Sequence, residues 1–170
     1  MEIVIRVDSS SQMGIGHVMR CLTLAEGLKQ NGLLVKFISR KHSGNLNNLI
    51  SKKGFQVFEL LRPMSKIKEK NKSHRQYKDY SEWLGVSEIE DANDTILALN
   101  NCKPEWLIVD HYSLGEIWEK QLRPHVKKIL VIDDIANRLH DCDILLDQNW
   151  FELSSNLQLP REGRNWIKEL

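Results

Sequence analysis

The chain has 170 residues, 41% of them hydrophobic and 28% charged, and a net charge of +1. That length suffices for one domain with a sizeable core, and the near-neutral charge removes any global electrostatic case for a nucleic-acid or membrane partner. No apolar stretch approaches the roughly 20 residues of a transmembrane helix. Met1-Glu2 runs directly into an apolar segment with no charged-then-apolar leader, so a cytoplasmic enzyme is expected.

The first element is the strand Ile3-Val4-Ile5-Arg6-Val7. It feeds Asp8-Ser9-Ser10-Ser11-Gln12-Met13-Gly14-Ile15-Gly16-His17, after which Val18, Cys21, Leu22, Ala25 and Leu28 recur at helical spacing. A strand, a glycine-containing turn and a helix in succession build phosphate and nucleotide-sugar sites, because the first amides of a helix lack intrahelical partners and face the positive end of the dipole. The spacing departs from a dinucleotide fingerprint: Met19 stands where a third glycine is required, and the second strand ends in Ser39-Arg40-Lys41 rather than an acid. An NADP-type site built on Arg40 stays open on this evidence.

His17 directly follows the second glycine. At a helix N-terminus the dipole disfavours imidazolium, so a neutral imidazole able to take a proton from water or a hydroxyl is expected. The alternative is a histidine that only hydrogen-bonds the turn.

The first helix should run from Gly16 or His17 to Gln30 and stop at Asn31-Gly32. A strand over 33–38, a helix over 43–53 closed by Gly54, and a strand over 55–60 follow. This βαβαβ order predicts an α/β, Rossmann-like parallel sheet with helices on both faces. From Leu61 to Lys78 the pattern lapses into a basic run (Arg62, Lys66, Lys68, Lys70, Lys72, Arg75, Lys78), which reads either as a lid that meets a diphosphate or as a solvated loop balanced by the acidic residues 79–94.

A helix over 87–99 opens on the capping pair Ser87 and Glu90. The apolar strand 106–109 then runs into Asp110-His111-Tyr112, at the sheet edge where such folds bind ligands. Asp110 can orient the site and Tyr112 can hold a substrate hydroxyl or phosphate. Alternatively, Asp110 caps the next turn and His111 is exposed. A helix over 115–123, a strand over 128–132 ending in Asp133-Asp134, and a short strand within 142–147 complete the pattern. The paired acids suit loop capping or support of the cleft better than a metal, since no third ligand is evident. Cys21, Cys102 and Cys142 suggest neither a disulfide framework nor a zinc site, and Cys21 falls on the apolar helix face.

Taken together and in order, Ile5-Arg6-Val7-Asp8, Gly14-Ile15-Gly16-His17, Arg20-Cys21-Leu22, Leu24-Ala25, Asp110-His111-Tyr112, Asp133-Asp134 and Cys142-Asp143-Ile144-Leu145-Leu146-Asp147-Gln148-Asn149 resemble the UDP-sugar hydrolases of pseudaminic acid biosynthesis. The resemblance implies a GT-B-type fold, with residues 1–149 as its N-terminal domain, 150–170 as a tail or linker, and the second, nucleotide-binding domain outside this chain. It implies removal of UDP from UDP-2,4-diacetamido-2,4,6-trideoxy-β-L-altropyranose by water attack at the anomeric carbon, with inversion. His17 matches the family's catalytic histidine, and Tyr112 a tyrosine in the same cleft. Asp8, Ser9, Ser10, Ser11, Gly14, Ile15, Gly16, Arg20 and Asp110 form the expected substrate-binding set. No cofactor or metal is expected. A half-enzyme would keep the base yet lose most nucleotide affinity, so an acceptor-sugar-binding domain of glycosyltransferase type, or an inactive binding module, is the alternative.

Overall fold

The computed structural model describes residues 1–62 and 80–147. They form a six-stranded, all-parallel sheet of β1 (Glu2–Val7), β2 (Leu34–Arg40), β3 (Gln56–Leu60), β4 (Trp106–Asp110), β5 (Lys128–Ile132) and β6 (Ile144–Leu146). The spatial order is β3-β2-β1-β4-β5-β6. Four helices connect the strands: α1 (Gly16–Gln30), α2 (Asn47–Lys52), α3 (Glu88–Leu99) and α4 (Glu116–Leu122).

Alternation along each strand sends side chains to two separate cores. Ile3, Ile5 and Val7 of β1, with Val35 and Phe37 of β2, pack against Val18, Cys21, Leu22 and Ala25 of α1 and Ile50 of α2. Val4, Leu107, Val109, Ile129 and Val131 face the other way, onto Ala92 and Leu99 of α3 and Trp118 and Leu122 of α4. The fold is therefore a Rossmann-like α/β sandwich with helices on both faces. Strands buried on both sides read as near-continuous apolar runs, which is how they stand in the sequence.

Several boundaries differ from expectation. β2 continues to Arg40 and β4 to Asp110, because parallel pairing runs to the strand ends: Arg40 lies opposite Leu60, and Asp110 opposite Val7. α2 begins only at Asn47. The Leu46 amide donates to Ser9 Oγ at 2.9 Å and the Asn47 amide to Asn45 Oδ1 at 3.1 Å, so residues 43–46 form a turn stitched to the loop after β1. Gly44 makes that seam possible. Its φ is +76°, and a Cβ there would lie 2.4 Å from Ser11 Oγ. α4 gives way to a 3₁₀ turn, Arg123–His125, around Pro124. A second 3₁₀ turn, Ser81–Trp83, has no counterpart in the sequence reading. The α3 cap is as expected, with Ser87 Oγ accepting from the Glu90 amide at 3.1 Å.

The basic run beyond Arg62 and the segment 148–170 lie outside the described residues. Among the described residues, no helix is long and apolar enough to cross a membrane.

Candidate functional site

The strand order reverses between β1 and β4, and ligands in open α/β sheets bind beyond the carboxyl ends at such a switch point. Asp8 leaves β1 there, Asp110 ends β4, and α1 starts above them. The sequence thus brings the loop 8–16, His17, Arg20 and Asp110-His111-Tyr112 to one edge.

Asp110 is the centre of the arrangement. Its Oδ1 is 2.6 Å from His17 Nδ1 and 2.5 Å from Arg20 Nη2, and its Oδ2 is 2.5 Å from Arg20 Nε. A carboxylate can only accept, so Nδ1 of His17 donates to it; the tautomer with a single ring proton then has its lone pair on Nε2. Burial pushes the Asp110 carboxyl up, but hydrogen bonds from Arg20 and His17 outweigh burial and hold it below the ordinary aspartate range. The Cys21 thiol lies 3.5 Å from the same carboxylate. Burial and the Asp110 charge push it well above the usual cysteine value, which keeps it an inert core group.

Tyr112 packs edge-on against the His17 ring, with centroids 4.5 Å apart. Its hydroxyl donates to Asp134 Oδ1 at 2.5 Å, and Asp134 also lies 3.7 Å from Arg20 Nη1. Burial, reinforced by the Asp134 hydrogen bond and charge, pushes the phenol up to about 12. With its proton committed to Asp134, the Tyr112 oxygen can act only as an acceptor, and Arg20 lies close enough to donate to it.

The loop after β1 is tied internally. Ser10 Oγ accepts from the amides of Gln12 and Met13, Ser10 O accepts from the Gly14 amide, and the Ser11 amide donates to Ser43 O. Gly14 adopts φ +80° to close this turn. The amides of residues 11–14 are therefore not an open phosphate cradle. The first turn of α1 from Gly16 onward, which no side chain caps, is where helical amide donors remain. Ile15 is exposed at the N-cap.

Asp8 and Ser9 lie beneath the edge. Asp8 is buried and paired with Arg6, accepts from the Arg40 amide at 2.7 Å, and has His42 Nε2 and His111 Nε2 at 3.4 and 3.3 Å from Oδ2. His111 is buried rather than exposed, and burial holds its imidazole below the usual histidine range. Arg40 is buried as well, at 2.8 Å from Asp91 and 2.7 Å from Asp94, and donates to Leu61 O. An arginine committed in this way cannot bind a 2′-phosphate, which overturns the NADP-type reading.

Asp133 and Asp134 diverge. Asp134 serves Tyr112, while Asp133 caps the Ile135 amide and meets Arg138 and His140. Among the described residues, no group of three His, Cys, Asp or Glu side chains is placed to hold a metal ion.

Sequence reasoning missed the 3₁₀ turn. Tyr80 packs tilted against Tyr112 at a centroid distance of 5.1 Å, Trp83 stacks on Tyr112 at 6.0 Å, and Trp83 lies 6.4 Å from His17. Ser113 Oγ donates to Tyr80 O and anchors the turn to the loop after β4. Between this turn, loop residues 10–12 and His42-Ser43 lies an open cavity of about 190 Å³. Two aromatic residues within an acidic stretch were the available signal.

No family model matches the chain. It is 29% identical over 159 residues to the UDP-2,4-diacetamido-2,4,6-trideoxy-β-L-altropyranose hydrolase of Campylobacter jejuni, covering 93% of this chain and 45% of that protein. It is 25% identical over 134 residues to an uncharacterised protein of Methanocaldococcus jannaschii, covering 79% of this chain and 22% of the other. The chain thus spans less than half the length of these relatives. Among solved structures it resembles MurG of Acinetobacter baumannii, with a TM-score of 0.51 and 12% identity over 78% of this chain and 34% of that one, a likeness of fold alone.

Proposed function

We propose that this chain carries the catalytic-histidine domain of a nucleotide-sugar hydrolase acting on UDP-2,4-diacetamido-2,4,6-trideoxy-β-L-altropyranose. The observation that carries the reading is the 2.6 Å contact of His17 Nδ1 with Asp110, which presents a proton-accepting Nε2 at the switch-point edge. The similarity to the Campylobacter enzyme over most of the chain supports the same substrate class.

In this mechanism His17 Nε2 takes a proton from a water whose oxygen attacks the anomeric carbon from the face opposite UDP. The bond from that carbon to the UDP oxygen breaks as the new C–O bond forms, UDP departs with the electron pair, and the configuration inverts. Asp110 stabilises the imidazolium as it forms, and Arg20 holds Asp110 in register. UDP leaves readily as a phosphate anion, so the acid carboxyl of an ordinary inverting glycosidase is not needed. Tyr112 positions the sugar through its oxygen. A second, nucleotide-binding domain of GT-B type belongs to this proposal as the source of the uridine and diphosphate contacts.

The test is phosphorus NMR of the UDP-sugar incubated with the chain, alone and with the C-terminal half of the Campylobacter enzyme supplied in trans. Release of UDP with inversion at the anomeric carbon, lost in His17→Ala, is expected. Turnover retained in His17→Ala would sink the mechanism. Release that depends on an added acceptor sugar rather than water would replace hydrolysis with transfer.

A further inference from the structure

We propose that the cavity beside the loop after β1 is the subsite for an uncharged, hydroxyl-rich sugar ring, with Trp83 as its apolar wall and Glu82 as the group that selects hydroxyl donors and repels phosphate. This rests on the nucleotide-sugar reading and specifies which part of the ligand goes where.

The cavity holds about 190 Å³. Trp83 is fixed as a wall by its contacts with Tyr80 at 4.6 Å and Tyr112 at 6.0 Å between centroids. An aromatic face held in place suits the C–H face of a sugar. The polar groups alternate in sense. Glu82 is an exposed carboxylate that only accepts. Ser11 Oγ donates to Ser43 O and is left with lone pairs, whereas Ser10 Oγ accepts from two amides and still has its own proton to give. His42 turns Nε2 inward toward Asp8. This set matches hydroxyls, each both donor and acceptor. A phosphate brought beside Glu82 would meet a like charge. The loop amides that might have drawn phosphate here are already bonded.

Trp83 is also the shared boundary with the candidate catalytic group, 6.4 Å from the His17 ring.

The test is NMR titration of the isotope-labelled His17→Ala chain, which removes turnover from the measurement. N-acetylglucosamine, free 2,4-diacetamido-2,4,6-trideoxy-L-altropyranose and inorganic phosphate are added separately, and the backbone amide signals of Ser10, Ser11 and Ser43, which line the cavity, are followed. Saturable shifts with at least one sugar and none with phosphate are expected, weakened about tenfold or more in Glu82→Gln and in Trp83→Phe, each first checked for an unchanged far-ultraviolet spectrum. Three outcomes overturn the proposal: shifts with phosphate alone, no response to either sugar up to about 100 mM, or sugar binding that both variants leave unchanged. Sugar binding here without any UDP-sugar hydrolysis would keep the subsite and discard the hydrolase.

Discussion

His17 Nδ1 and Asp110 Oδ1, 93 positions apart in the chain, meet at 2.6 Å. The contact makes Nδ1 a donor and leaves Nε2 as the nitrogen assigned to proton transfer in the proposed mechanism. In Asp110→Asn the amide can present either its oxygen or its nitrogen, and the tautomer is no longer imposed. A fall of about 100- to 10,000-fold in UDP-sugar hydrolysis is expected. Nitrogen NMR of the His17 ring checks the cause independently of substrate. A ring that stays Nδ1-protonated in the variant would show that Asp110 does not set the tautomer.

Tyr112→Phe removes the hydrogen bond to Asp134, with an expected loss of about 1 kcal/mol of stability. In the parent protein burial, followed by the Asp134 hydrogen bond, raises the phenol to about 12. A group raised above its unfolded value of about 10 contributes stability that is present below that pH and lost as pH rises from about 10 to about 12. Ultraviolet difference titration should show a late-titrating phenol that is missing from Tyr112→Phe.

The buried pairs Arg6–Asp8, Arg6–Asp91 and Arg40–Asp91 tie β1, β2 and α3 together. Trp118 Nε1 also donates to Asp91, at 3.0 Å. Removing Asp91 leaves two buried guanidinium groups short of a partner, so Asp91→Ala should cost about 3–5 kcal/mol in urea denaturation. Burial pushes the Asp8 and Asp91 carboxyls up, but the Arg6 charge acts together with hydrogen bonds from His111 and His42 on Asp8, and with the Arg6 hydrogen bond and Arg40 charge on Asp91, to hold both below the ordinary range. Their contribution is therefore present above about pH 4 and lost as pH falls through the lower native values. The urea midpoint of the parent protein should drop on that acid limb, and that of Asp91→Ala less steeply.

His140 gives the opposite limb. It bridges Glu119 at 2.6 Å and Asp133 at 3.3 Å. Burial disfavours its charged form, yet hydrogen bonds to Asp133 and Glu119 outweigh burial and raise it above the usual histidine value. This contribution is fully present below about pH 6.5 and is lost as pH rises through the higher native value. His140→Gln should flatten that decline in denaturation midpoints. An equally steep decline in the variant would assign it to other groups.

What was legible in the sequence followed the range of the interactions involved. The start of α1 at Gly16, its stop at Asn31-Gly32 and the Ser87 cap of α3 are local devices, and all three could be read from neighbouring residues. The start of α2 could not, because a hydroxyl 37 positions away takes the Leu46 amide. The parallel sheet with helices on both faces followed from alternating strands and helices, while the spatial order of its strands came only with the structure. At the site, His17, Asp110 and Tyr112 were visible as polar residues at strand and helix ends. Their pairing was not, since it depends on the register that sets Asp110 opposite Val7. Arg40 misled because a strand-terminal arginine looks available until the acids of α3 are placed above it. The turn at Ser81–Trp83 was hidden in an acidic run that reads as solvated charge.

The position of β1 in the interior of the sheet also bears on how the protein folds. β1, β2 and β3 join through crossovers near in sequence, but β4 must return to the other edge of β1, pairing Trp106 with Ile3. Such a closure loses chain entropy before any contact rewards it, so it is expected late in folding. Imidazole and carboxylate approach one another only at that step. A three-stranded intermediate, however native its first half, has no functional centre to offer. A ligand that requires both halves would therefore favour the completed sheet by mass action and would not stabilise a chain arrested before β4 docks.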